Sequence, residues 1–516
     1  MAATLATVRP FPRDALRASE LAVIDVGSNT ARLVIFEMTR HGGFRSIFEG
    51  KEVPRLGQST GPQGELSPAA MDRGVDALRR FARQVHQAGD PLTLAVATSA
   101  VRDAPNSAEF LARVARETGV RIRVLSGEDE GRYGYLGVAG AFELGRDLIV
   151  DLGGGSLQTC VTVGGHLDRV ASLPLGALRL TGSFVEHDPP KGKELDALRD
   201  HVRGALRRLP LPRAGLRNVY GVGGTIRCLA RVAIELFDHP IPQVHGYPLS
   251  RDDLASIDSL LSDLPARGRR DIPGISGHRA DVIVAGLVVV EEVMRRARTD
   301  AIIVSGTGIR EGIALERVGA PLPADAEVLA HRSVTAAARA FGFSLPHGEE
   351  VRRVALELFD LLKLREGWGR EERLALSVGA WMHDVGAVVE IWRHPRHSAY
   401  ILRHSSVFGL TQRELLLASL AVYLHEGDDA PASWRKAWRP VLRPSDIDTA
   451  RKLGVLLYFA ETLDGAQVEL HLARGSRMLM MRVSGGPGTE ASERTVGRLT
   501  KSMKRTFGVE VVPHVA

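Results

Sequence analysis

The stretch Leu21-Ala-Val-Ile-Asp25-Val-Gly27-Ser28-Asn29-Thr30 decides how this chain folds. Leu21–Ile24 is apolar without a polar break, as in a strand buried on both faces. An aspartate follows, a glycine turn interrupts, and a second apolar run resumes at Ala31–Met38. The pattern is strand, tight turn, strand. The segment Leu148–Val163 repeats it: Leu-Ile-Val-Asp151 precedes Leu152-Gly153-Gly154-Gly155-Ser156, and another apolar strand runs to Val163. The two segments align as h-h-D-h-G-x-x-[ST]. This internal duplication predicts two lobes, each opening with the same hairpin.

Between the hairpins, Pro68–Ala88 and Ser107–Thr118 have apolar residues at helical spacing, while Leu92–Ala97 and Arg121–Leu125 read as strands. Downstream, strands at Asn218–Tyr220 and Ala301–Val304 alternate with helices at Arg251–Leu261 and Arg279–Arg295. Such alternation predicts α/β lobes. The expected organisation is a flexible extension over 1–20, lobe I over 21–146 and lobe II over 147–318. Pro321 and Pro323 then mark a linker. Residues 324–465 read as almost wholly helical, and 466–516 as a small α/β appendix. In the appendix, strands are expected at Gln467–Leu472, Met478–Val483 and Gly508–Val512, with a basic helix at Thr495–Thr506.

A chain of 516 residues needs more than one hydrophobic core. Its 44% hydrophobic and 25% charged content is ordinary for a soluble protein. No apolar run approaches the roughly 18 residues of a membrane span, and the first twenty residues lack the apolar segment of a signal peptide. Cys160 and Cys228 form no CxxC, which fits a reducing compartment and a cytoplasmic protein. The net charge of +6 and pI near 9.5 suit an anionic partner. Charge alone does not choose among polyphosphate, nucleotide and nucleic acid. Arginines at 203, 207, 208, 213 and 217, and at 267, 269 and 270, are either a polyanion path or a solvated helical face.

A phosphate group needs many aligned N–H donors, and glycine turns supply them. Gly27-Ser28-Asn29-Thr30 and Gly153-Gly154-Gly155-Ser156 are two such turns. Gly221-Val222-Gly223-Gly224-Thr225 is a third and Gly306-Thr307-Gly308 a fourth, each after an apolar strand. None has P-loop spacing. Asp25 and Asp151 sit just before the first two turns. One such aspartate alone reads as a turn cap. Two in duplicated loops point to a cation between carboxylate and phosphate, hence Mg²⁺, with Mn²⁺ as a substitute. Ser126-Gly-Glu128-Asp129-Glu130 places acids before an apolar helix. They favour the helix dipole, and if the helix start faces the phosphates, one of them can direct a water.

IDVGSNTARLVIF, EVPRLGQ, AVATSAVRDAPN, VLSGEDEGR, IVDLGGGSLQ, YGVGGTIR, GISGHRADVIVAG and SGTGIREG occur in order between Leu21 and Glu316. In this the chain resembles the exopolyphosphatase/guanosine pentaphosphate phosphatase family. The resemblance implies the duplicated two-lobe fold of actin and sugar kinases, with ribonuclease H-like lobes and a site in the cleft between them. It implies Mg²⁺-dependent removal of terminal phosphate from polyphosphate or guanosine pentaphosphate, with no membrane or specific nucleic-acid partner; a homodimer is left open. Residue by residue, it implies that Glu130 is the general base, that Asp25 and Asp151 serve metal and phosphate loops, and that Arg102 clamps phosphate. It extends phosphate contacts to Arg55 and Arg279.

One departure stands out: the second loop ends in Gln158, where many members have glutamate. Glutamine orients a water but takes no proton. Either Glu130 suffices as base while Gln158 positions water, or the chain mainly binds or senses its ligand. In the helical region, His347, His383-Asp384 and Asp464 follow the H…HD…D order of HD-domain metal phosphohydrolases, and His397 and His425 are further candidate ligands. The family often carries this domain in degenerate HD form, where it helps bind long polyphosphate. The intact His383-Asp384 keeps a second divalent-metal site open.

Overall fold

A computed structural model describes residues 20–39, 43–58, 64–209, 211–212, 215–323, 325–427, 432–463, 467–472, 477–484 and 489–515. The expected N-terminal extension, apart from Glu20, lies outside them, as do Arg213 and Asp464. The chain divides into two units. One runs to Asp325 without His239–Ile241; the other takes those three residues and Ala326 onward.

The first unit contains two sheets of matching design. Strands β1 (Glu20–Val26), β2 (Ala31–Met38), β3 (Phe44–Glu52), β4 (Leu92–Ala97) and β5 (Ile122–Val124) stand in the order β3-β2-β1-β4-β5. Strands β6 (Leu148–Leu152), β7 (Leu157–Val163), β8 (His166–Leu173), β9 (Val219–Val222), β10 (Pro248–Ser250) and β11 (Ala301–Val304) stand as β10-β11-β9-β6-β7-β8. In each sheet the hairpin pair is antiparallel, and its first strand also has a parallel neighbour. The expected duplication is therefore present in the strand order.

The uninterrupted apolar runs are explained by burial on both faces. From β1 and β2, Ala22, Ile24, Leu33 and Ile35 pack with Leu78, Phe81 and Phe110. The alternate residues Val23, Val34 and Phe36 pack with Val96, Tyr133 and Ile313 on the other face. Lobe II has one large core around Leu148, Val150, Leu229, Val288 and Ile302. The helix expected from Arg279 begins at Ile283, because Arg279 itself is committed to the cleft described below.

The second unit is helical from Ala326 to Thr462, then forms β12 (Gln467–Leu472), β13 (Met478–Ser484) and β14 (Glu510–Val515) with a helix at Thr489–Phe507. Among the described residues, its small sheet has no separate core. Leu479, Met481, Met503 and Val511 join the cluster of Leu358, Leu417 and Leu457 from the helices. Among the described residues, no helix is long and apolar enough to cross a membrane.

Candidate active site

The two hairpin turns close identically. Gly27 N–H donates to Thr30 O at 3.0 Å, and Gly153 N–H donates to Ser156 O at 3.0 Å. They meet across the cleft: a Cβ on Gly154 would lie 3.2 Å from Asn29 N, and one on Gly155 would lie 2.7 Å from Ser28 Oγ. Ser28 Oγ in turn hydrogen-bonds Ser99 Oγ at 2.9 Å. The carbonyls of Gly153 and Gly154 are taken by the N–H groups of Ala177, Leu178 and Arg179, which leaves the turns held from behind. The third turn starts a helix, Gly224–Leu236, with Gly223 at φ +97°, a conformation that favours glycine.

One cleft is lined by Asp25, the Gly27–Thr30 turn, Gly153, Gly154, Ser156, Gly223, Gly224 and Asp151, together with Glu130, Arg279 and Gly308. Gly155 packs against Ser28 and Ser99, and Thr225 against Gly286. Glu130 is buried in the first turn of the Gly127–Ala139 helix, whose start is capped by Ser126 Oγ accepting from Asp129 N–H. Burial pushes the Glu130 carboxyl up to about 7; the Arg102 guanidinium opposes this, and Asp151 and Asp25 add to it. Burial likewise raises Asp151 to about 6 against the pull of Arg227, and raises Asp25 against that of Arg310. Three carboxyls thus share a site in which none is easily charged.

The other expected residues fall in distinct places. Arg102 stands behind Glu130, with Nη1 donating to Glu130 Oε2 at 2.9 Å and to Leu125 O at 3.2 Å. Arg279 lies over Gly224, where any Cβ would overlap its guanidinium, and donates weakly to Thr225 Oγ1 at 3.4 Å. Arg55 does not line the cleft. It forms a two-pronged pair with Asp281, at 2.5 and 3.1 Å, and donates to His278 O, tying lobe I to lobe II. Gln158 is buried away from the cleft wall, donating from Nε2 to Ser156 Oγ at 2.7 Å and Ser172 Oγ at 3.2 Å. It stands directly opposite Asp151 in the β6–β7 register. A glutamate there would set two carboxylates face to face across the hairpin.

Three of the expected arginines have partners elsewhere: Arg203 pairs with Glu292, Arg217 donates to Glu143 O, and buried Arg269 donates to the carbonyls of Leu261 and Ala280. In the second unit, His347 Nε2 lies 3.2 Å from Asp384 Oδ2, and His383 Nε2 lies 3.6 Å from Asp384 Oδ1. His397 faces Glu390 instead.

With this geometry, residues 34–320 match the model of the Ppx/GppA phosphatase family, and residues 329–436 match its domain III. The chain belongs to the Ppx/GppA phosphatase family. The Exopolyphosphatase 1 of Mycobacterium tuberculosis is 33% identical over 327 residues, covering 62% of this chain and 94% of the relative. The guanosine-5'-triphosphate,3'-diphosphate pyrophosphatase of Aeromonas salmonicida is 27% identical over 412 residues, 77% of this chain and 79% of that one. The crystal structure of an exopolyphosphatase from Cytophaga hutchinsonii is 26% identical with a TM-score of 0.55, covering 58% of this chain and 98% of its own. That of the Aquifex aeolicus Ppx/GppA family member is 30% identical with a TM-score of 0.51, covering 58% and 97%. The actin-like two-lobed fold is thereby shared, and the relatives set the general chemistry as phosphoanhydride hydrolysis.

For a Ppx/GppA phosphatase, the cleft has a cationic wall that sequence reading did not single out. Arg32, Arg227 and Arg310 line it beside Arg279, so four arginines face three carboxyls. Arg32 stands opposite Asp25 in the β1–β2 register. Arg227 is fixed by the carbonyls of Ser305 and Thr307, at 2.7 and 3.0 Å, and burial lowers it to about 10. Glu311 caps the fourth turn by accepting from Gly308 N–H at 2.7 Å. The available signal was position: Arg227 and Arg310 each follow a glycine turn by two or three residues, within the first helical turn.

Proposed function

We propose that the chain is a cytoplasmic, Mg²⁺-dependent exopolyphosphatase that releases terminal orthophosphate from polyphosphate in the cleft between the lobes. The observation that carries this is the convergence of buried Glu130 with two opposed Asp-glycine turns and four arginines. Asp25 and Asp151 would hold the metal. Their raised carboxyls fit a cation between them, and an all-oxygen donor set suits Mg²⁺, or Mn²⁺ in its place. Bound there, Mg²⁺ would neutralise phosphoryl charge. The turn amides and arginines fix the terminal phosphoryl group in line. Glu130 accepts the proton of the attacking water as the new P–O bond forms. The bridging P–O bond breaks, and its electron pair leaves on the end of the shortened chain.

Arg102 is assigned the task of holding the Glu130 carboxylate and countering its burial. Gln158 is assigned a supporting role behind Asp151, and Arg55 that of clasping the lobes once substrate is seated. The helical unit is proposed to have an HD-like arrangement. Asp151→Asn is expected to raise the Mg²⁺ concentration for half-maximal rate by tenfold or more, on the order of a lost charged ligand; an unchanged Mg²⁺ titration would remove Asp151 from the metal site.

Guanosine pentaphosphate presents the same terminal anhydride, and the similarity to a relative named for it over 77% of this chain favours keeping it as a second substrate. Rates of phosphate release from long polyphosphate and from guanosine pentaphosphate, measured at equal concentrations, decide between them. Faster release from the nucleotide overturns the polyphosphate assignment but not the hydrolase. The buried Gln158 favours one reading of another class, a sensor that binds polyphosphate or nucleotide with little turnover. On the hydrolase reading Gln158→Glu does not raise turnover, because the added carboxylate opposes Asp151. A large gain of activity in Gln158→Glu supports the sensor.

A further inference from the structure

The helical unit gathers four histidines and two carboxylates from five separate helices or helix ends. His347 lies in the first turn of the Leu345–Glu366 helix, and His383-Asp384 follows the Arg370–Met382 helix. His394 opens the His394–His404 helix, His425 caps the Gln412–Leu424 helix, and Glu461 lies in the last turn of the Asp446–Thr462 helix. Asp384 is at the centre. Its Oδ2 faces His347 Nε2 at 3.2 Å, and its Oδ1 faces His394 Nε2 at 3.3 Å and His383 Nε2 at 3.6 Å. His347 Nε2 and His383 Nε2 are 3.3 Å apart, and His425 Nε2 is 3.2 Å from Glu461 Oε2.

The hydrogen bonds on the far side of these rings fix their tautomers. His383 Nδ1 lies 2.9 Å from Ala380 O, His394 Nδ1 3.0 Å from Ile391 O, and His425 Nδ1 2.6 Å from Val422 O. A carbonyl only accepts, so each Nδ1 carries a proton and each Nε2 points inward, where Glu461 favours positive charge at His425. Backbone carbonyls orient metal-binding histidines in this way. The inward Nε2 atoms of His394 and His425 are buried and make no hydrogen bond among the described residues, although carboxylate oxygens face them. A ring nitrogen facing a carboxylate oxygen in a buried site needs positive charge between them, either a proton or a metal ion. Two ligands on one ion, each about 2.0–2.2 Å from it, stand roughly 3–4 Å apart, which is the spacing seen here.

We propose that the helical unit binds a pair of divalent transition-metal ions bridged by Asp384. His347 and His383 hold one ion with Asp384. His394, His425 and Glu461 hold the other, with the Asp384 carboxylate shared between the two ions. Imidazole donors select Mn²⁺, Fe²⁺, Co²⁺ or Zn²⁺ over Mg²⁺, so this site is chemically distinct from the all-oxygen cleft. Glu461, three residues before Asp464 in the sequence, is the described carboxylate that this helix brings to the histidines.

The test uses the full chain carrying Asp25→Asn and Asp151→Asn, so that the cleft does not contribute. The protein is loaded with Mn²⁺ or Co²⁺, freed of excess metal by gel filtration in Mg²⁺ buffer, and assayed for bound metal. Two ions per chain are expected, with an exchange-coupled Mn²⁺ signal in electron paramagnetic resonance. In the same background, Asp384→Asn is expected to lose both ions, while His347→Gln and His394→Gln each keep one. One ion or none per chain before any change to the helical unit, or two ions retained by Asp384→Asn, overturns the proposal. The first of these outcomes does not depend on how any helical-unit variant folds.

Discussion

Glu130→Gln is expected to slow phosphate release by about a thousandfold, the usual scale for losing a general base, while making the protein more stable at pH 8. Both effects come from the same burial. A carboxyl raised from 4.5 to about 7 holds a proton in the folded state that the unfolded chain has released. Stability from this group is therefore fully present below about pH 4.5 and is lost as pH rises to 7 and beyond. The loss is on the order of 3 kcal/mol at pH 8. Glutamine never ionises and so avoids it. The Arg102 hydrogen bond to the charged carboxylate is already contained in that raised value, which would be higher still without it. A gain of up to about 3 kcal/mol is therefore expected, read as a higher melting temperature at pH 8 and a much smaller change at pH 5. The wild-type rate should fall about tenfold per pH unit on the acid side, where Glu130 is protonated. The inflection is expected below 7, because a cation bound by Asp25 and Asp151 cancels the charges that help raise Glu130. A variant that is both active and less stable at pH 8 would contradict the assignment.

The second large effect is expected at the crossing of two helices, Gly127–Ala139 and Ile309–Val318. A Cβ on Gly312 would overlap the Tyr133 carbonyl oxygen and lie 3.0 Å from Gly137 N, and one on Gly137 would overlap the Gly308 carbonyl. Backbone meets backbone here, so no side chain can move aside. Gly312→Ala is expected to cost about 2–4 kcal/mol. It should also reduce turnover, because one helix carries Glu130 and the other Arg310. Gly182 is the control. It sits in the Ala177–Phe184 helix with nothing within 4 Å of an added Cβ, so Gly182→Ala should be neutral or slightly stabilising. Equal denaturant midpoints for the two variants would show that the crossing is looser than described.

Much of the first unit was legible because its strands are buried on both faces. Leu21–Ile24 and Leu148–Val150 show this as unbroken apolar runs, and the aspartate and glycines that end them recur in order. The strand order was not legible, since it depends on pairings such as Val23 with Leu94 and Ile149 with Tyr220, far apart in sequence. The cleft was half legible. Acids and glycine turns stand out locally, but an arginine in the first turn of a helix looks like any solvated arginine. Arg227 and Arg310 acquire meaning only when the turns converge. Arg55 shows the reverse: its motif suggests phosphate, yet its partner Asp281 lies 226 residues away. In the helical unit, His383-Asp384 was readable as a pair. His394 and Glu461 were not, because their spacing matches that of an ordinary helix face.

The most direct test supplies wild-type protein with Mg²⁺ and long-chain polyphosphate in ¹⁸O-labelled water and follows the products. Water attack on the terminal phosphorus is expected to release orthophosphate steadily, carrying one labelled oxygen per phosphate, while the remaining chain stays unlabelled. Tight binding of polyphosphate without release of labelled orthophosphate would contradict the account and make the cleft a receptor rather than a hydrolase.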